Sequence, residues 1–134
     1  MLVFALLVLS DCASYGPQTE QPGEIAALAA EIRALSPDVD AAEADSAARL
    51  AFETTQALAV AYEITDPPLI HNSKVNAGLR PRGLCYHWAE DRQARRKAER
   101  FESLGIERAI ANAENPILID HSAAVIVSKG AAME

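Results

Sequence analysis

The sequence predicts an α+β fold in which helices come first and a small antiparallel sheet comes last. Three observations carry this. Residues 24–62 and 83–103 space apolar side chains at helical intervals, and residues 117–127 form the β-rich run ILIDHSAAVIV. Aromatic residues make up only 5% of the 134, and alanine is abundant, so close helix packing through small side chains takes the place of an aromatic-rich all-β core. A chain of this length has room for one domain, since ~100–200 residues per domain is usual. A composition 50% hydrophobic and 23% charged excludes a disordered, collagen-like or disulfide-scaffold chain.

Residues 2–9, LVFALLVL, are eight apolar residues without a charge. That is too short to cross a bilayer, which takes ~20 residues, but it suits the apolar stretch of a secretory signal. Leu9-Ser10-Asp11-Cys12-Ala13-Ser14 follows at once and resembles a bacterial lipobox. The resemblance implies a signal over 1–12, acylation of Cys12 and a lipoprotein held on a membrane of the bacterial cell envelope, facing the periplasm or exterior. Asp11 stands where that motif has Gly, Ala or Ser. Residues 13–23 are polar with Pro and Gly, the composition of a flexible tether, and the folded domain is expected over 24–134.

Within that domain Ile25, Leu28, Ile32 and Leu35 fall on one stripe of an amphipathic helix that ends before Pro37. Asp40 is placed to cap a second helix over 41–62, with Leu50, Thr54, Ala57, Leu58 and Ala61 along one side. Residues 63–82, with Pro67-Pro68, Gly78 and Pro81, read as a long connection. Residues 83–103 restore helix chemistry, with Leu84, Trp88, Ala94, Ala98 and Phe101 as a ragged apolar face and Gly105 as a stop, which puts Cys85 in the first turn. Residues 106–113 suit a strand or a helical tail, Asn115-Pro116 interrupts, and residues 122–127 form a strand opened by His121 and closed by Lys129-Gly130.

Charge is lopsided. Residues 1–66 carry two Lys/Arg against eleven Asp/Glu, and residues 67–134 carry ten against eight. An acidic chain without a basic tract has no electrostatic reason to hold phosphate backbones, so nucleic acid is not an expected partner. The cluster Arg92, Arg95, Arg96, Lys97, Arg100 is interleaved with Glu90, Asp91, Glu99 and Glu102, a pattern that reads as a solvated helix face.

Cys85 is the most informative residue. At a helix N-terminus the free N–H groups and the dipole favour a thiolate, which is the nucleophilic form of cysteine. A thiol nucleophile needs a base, and His121 is available only through tertiary packing. The residues alone equally allow a core cysteine beside Trp88, with His121 merely opening a strand. The string Arg82-Gly83-Leu84-Cys85-Tyr86-His87-Trp88-Ala89-Glu90-Asp91, followed by a charged helix and by Asp120-His121-Ser122-Ala123-Ala124-Val125-Ile126-Val127, resembles uncharacterised bacterial lipoproteins with a transglutaminase-like, broadly papain-like, cysteine peptidase core. The resemblance covers about residues 68–130. It implies Cys85 as nucleophile, His121 as base, and an Asp or Asn on the next strand to orient the histidine. The sequence reaches Glu134 without that strand, and Asp120 adjoins His121, where strand neighbours point to opposite faces.

An oxyanion would be met by the backbone N–H of Cys85 and by the side chain of Asn72 or Asn76, residues that otherwise suit turn chemistry beside Gly78. His87 would project from another side of the helix as a surface or groove residue, and His71 has no assigned role. Cys85, His87, His121 and His71 offer zinc-type ligands, but positions i and i+2 of a helix lie about 200° apart, so no metal or other cofactor is expected. Two functions follow as expectations. One is a thiol hydrolase or acyl-transferase acting on an amide or ester; the other is a non-catalytic envelope lipoprotein serving as a binding or scaffolding module. An Asp-bearing strand beyond residue 134 would separate them.

Overall fold

A computed structural model describes residues 22–112, 114 and 121–129. Four helices precede a two-stranded antiparallel sheet: α1 (Pro22–Arg33), α2 (Ala41–Ala61), α3 (Pro68–Asn76), α4 (Cys85–Lys97), β1 (Leu104–Ala111) and β2 (His121–Ser128). The α+β expectation, with a cysteine-bearing helix on a small antiparallel sheet, matches this architecture.

Pro22 opens α1, a position where its missing N–H costs nothing, so the helix starts just inside the stretch expected to be a tether. Asp40 caps α2 as anticipated: its Oδ1 accepts from the Glu43 N–H at 2.9 Å. The α1–α2 seam is made of alanine. Ala29 and Ile32 of α1 pack with Ala44, Ala47 and Ala48 of α2 and with Leu104 of β1, while Phe101, Val39 and Ile126 close the edges. With no bulk beyond Cβ at four of these positions, the helices approach closely.

Glu43 joins this helical pair to the hairpin. Its carboxylate accepts from the backbone N–H of Ser103 at 2.8 Å, from that of Glu102 and from the Ser103 hydroxyl. The same hydroxyl oxygen accepts from the Asp40 N–H at 3.0 Å. Burial alone would raise the Glu43 pKa, but the hydrogen bonds from Ser103 and Glu102 outweigh it and hold the carboxyl below its ordinary value.

Three local expectations need correction. The connection over 63–82 contains helix α3, started by Pro67-Pro68 with a proline in its first turn. Its sequence carries little amphipathic pattern because only His71 is buried, so periodicity did not reveal it. The helix over 83–103 ends at Lys97, and Arg100 takes a positive φ of 52° in the turn that follows. Gly105 lies inside β1 rather than stopping a helix; a side chain there would press on Val127, its partner in the ladder.

The strands pair from Leu104↔Ser128 to Ala111↔His121. Side chains alternate between faces along a strand, and Arg108 fixes which face is which. Its guanidinium meets Glu90 of α4 at 3.2 Å and donates to the Ser122 hydroxyl at 3.3 Å, so the even-numbered positions of both strands look toward α4.

Candidate functional site

Cys85 is the first residue of α4, and its thiol is free and exposed. The alternative of a thiol packed in the core beside Trp88 is thereby excluded. The turn that delivers Cys85 is built on Gly83, whose φ of 132° is open to glycine and rarely to other residues. A Cβ there would lie 2.3 Å from Nε2 of His71. That nitrogen bonds the Arg82 carbonyl at 2.8 Å, and the ring is 2% exposed. His71 is thus the buried post against which the 82–83 backbone rests, with its Nδ1 left without a partner.

His87 holds the same turn from the other side. Its Nδ1 accepts from the N–H groups of Gly83 at 3.2 Å and Leu84 at 3.3 Å, which assigns the ring proton to Nε2. This corrects the surface placement expected from sequence: His87 is 8% exposed. Standing three residues after the N-cap, it does the work that Glu or Gln does in a capping box, and that spacing was the available signal. Burial, and then the nearby Arg82, lower its pKa below the ordinary value against the opposing pull of Glu90 and Asp91.

Beneath this turn lies a polar network. Arg82 reaches Asp91 through Nε and Nη2, each at 3.2 Å, and Tyr62, the C-cap of α2, donates its hydroxyl to the same carboxylate at 2.5 Å. Burial and the Asp91 hydrogen bond push the Tyr62 phenol up to about 12. The Trp88 indole N–H donates to the Gly83 carbonyl at 3.0 Å, and its ring meets Tyr62 edge-on at 4.8 Å.

His121 opens β2 and is exposed. The Glu90–Arg108 contact and the bond from Gln93 to the Ile106 carbonyl set α4 antiparallel to β1. At ~1.5 Å per helical and ~3.3 Å per strand residue, Cys85 and the Ala111↔His121 pair fall at the same end of the helix–sheet layer. Alternation, however, puts His121 on the face turned away from α4, since Ser122 is on the facing side. Among the described residues, no hydrogen bond joins the two side chains. Asn72 lies midway along α3, and Asn76 is its last residue and exposed, so both proposed oxyanion donors belong to a helix, not a loop. Cys12 and Asp120 lie outside the described residues. Among the described residues, no group of three or more His, Cys, Asp or Glu is gathered to hold a metal ion, and no helix is long and apolar enough to cross a membrane.

The basic cluster departs most from expectation. Arg92 and Arg96 are not on a solvated face. Arg96 is 9% exposed, and Arg92 lies over the Trp88 ring at 5.1 Å while donating to the Thr55 hydroxyl at 3.0 Å.

No family model, curated protein or solved structure matches the chain.

Proposed function

We propose that this chain carries a transglutaminase-like thiol hydrolase or acyl-transferase core, with Cys85 attacking the carbonyl carbon of an amide or ester. The observation that supports the reading is the exposed thiol at the first position of α4, on a turn braced by two buried histidines. In that chemistry the thiolate bonds to the carbonyl carbon, the amine or alcohol departs with a proton, and water or a second nucleophile later releases the acyl group. The N–H groups of Cys85 and Tyr86, in the first turn of α4, are the backbone donors this reading assigns to the developing oxyanion, since those of Gly83 and Leu84 are taken by His87. His121 is the base in this reading and needs a turn of the strand end toward α4.

One observation favours the rival reading, a non-catalytic binding or scaffolding module: the register that faces His121 outward. Iodoacetamide labelling of Cys85 at near-neutral pH separates the two. The enzyme reading expects modification faster than that of a model thiol and slowed by His121→Ala. A rate equal to a free thiol's, or one indifferent to His121, would leave the module as the better account. Membrane anchorage through Cys12 belongs to the same proposal, and it expects metabolic palmitate labelling that disappears in Cys12→Ala; labelling that persists refutes it.

A further inference from the structure

The protein buries Arg96 and half-buries Arg92, and both lack an acidic partner. Arg92 and Arg96 stand one helical turn apart on α4, and neither has a carboxylate within ion-pairing distance among the described residues. Arg96 Nη1 and Arg92 Nε are buried with no hydrogen-bond partner at all. Burying a charged group without a partner costs several kcal/mol, so such groups are ordinarily paired.

Both arginines line one open cleft of about 370 Å³, bordered by α1, α2, α4 and β2. Its wall is otherwise largely apolar, supplied by Leu28 and Ile32 of α1, by Leu35 just past that helix and by Ala124 and Ile126 of β2. Glu31 is the one acid among the lining residues, on an exposed position of α1 and unpaired with either arginine. Arg96 also lines a neighbouring cavity of about 220 Å³ that no acidic side chain borders. Small-molecule sites combine an apolar wall with a few fixed polar groups at volumes of ~300–1,000 Å³, and this one sits at the small end.

We propose that this cavity is a binding site for a small amphiphilic carboxylate, its head group held between Arg92 and Arg96 and its apolar body lying against α1 and β2. A carboxylate in the cleft offers two acceptors to the two guanidinium groups that line it and neutralises charge that no side-chain carboxylate meets. A bare inorganic anion would use the head site and leave the apolar wall unfilled. Burial, with Arg92 adding to it, lowers the Arg96 pKa to about 10, which still keeps the group cationic at neutral pH.

The single tryptophan, Trp88, lies against Arg92 and supplies the readout. Octanoate titrated into the full chain is expected to change Trp88 emission saturably and to raise Tm by linkage, whereas octan-1-ol and inorganic phosphate at the same concentrations do neither. Arg96→Met keeps an unbranched apolar side chain in place and should leave the chain folded, at no loss of stability, while weakening octanoate by about tenfold or more. Equal responses to octanoate and octan-1-ol would overturn the proposal, leaving a merely apolar cavity. So would a response to phosphate equal to that to octanoate, no response at all, or undiminished octanoate binding in folded Arg96→Met. Should that variant fail to fold, the octanoate, octan-1-ol and phosphate comparison on the unaltered chain decides alone. Cys85 labelling is read on a different residue and in the absence of octanoate, so this result is independent of the thiol reading.

Discussion

The two ends of α4 handle charge in opposite ways. At the N-terminal end Arg82 meets Asp91, Tyr62 meets the same carboxylate, and His87 meets two backbone amides. From Arg92 onward the pattern stops: Arg92 has a hydroxyl and an aromatic face, and Arg96 buries an Nη1 without a partner. The same helix thus carries a closed polar network and an open one. The contrast teaches that burial of charge here is not general looseness of packing. The turn keeps one open position, Nδ1 of His71, but its charges, Arg82 and Asp91, are paired with each other, whereas Arg92 and Arg96 meet no carboxylate, and that is what the proposed ligand supplies.

The sharpest way to break the closed end is Gly83→Ala. The added methyl meets His71 and the residue must keep a φ that L-residues rarely adopt, so a loss of about 3 kcal/mol is expected in denaturant unfolding. A loss under about 1 kcal/mol would mean that the His71 post is dispensable. This substitution should also alter the presentation of Cys85, whereas the octanoate site, two turns along the helix, should bind as before.

A smaller effect, on the scale of a single helix cap at about 1 kcal/mol, is expected from acid at His87. Its folded pKa lies below the ordinary 6.5, so the folded state favours the neutral ring. The stability it contributes is fully present above 6.5 and is lost as pH falls through the lower folded value, because the protonated Nδ1 can no longer accept from Gly83 and Leu84. His87→Asn keeps an acceptor near the same place without titrating. Its stability between pH 7 and 4, followed by circular dichroism, should lack the part of the acid decline that His87 supplies. Identical acid limbs in the two proteins would show that the amides are held some other way.

Much of the architecture was legible in the sequence. The stripe Ile25, Leu28, Ile32, Leu35 and the cap Asp40 mark α1 and α2, and the β-branched run after His121 marks β2, because each pattern is local and repeats at the period of its element. Cys85 was legible as a first-turn residue for the same reason. The placement of the arginines was not. A string such as Asp91-Arg92-Gln93-Ala94-Arg95-Arg96-Lys97 looks solvent-facing, yet an alanine-rich core leaves space beside it that long arginine stems fill. Trp88 four residues before Arg92 was the one local hint, since that spacing stacks a cation on a ring. The face presented by His121 depends on strand register, which is set by the pairing of β1 with β2 and not by any residue near the histidine.

The Glu43 clasp also bears on how the chain reaches its native state. Glu43 belongs to the first turn of α2, yet three donors that bind its carboxylate come from Glu102 and Ser103, and the Asp40 N–H finds its acceptor only in the Ser103 hydroxyl. Lys129, just past β2, in turn donates its backbone N–H to the Ser103 carbonyl at 2.9 Å. The acidic first half and the basic second half therefore meet at one short segment, and each completes hydrogen bonds the other cannot make by itself. Closing a loop of some sixty residues to form that segment is an entropic cost met once, after which helical pair and hairpin gain their last bonds together. The assembly is for this reason cooperative across a long stretch of chain, even though its helices taken singly are local structures.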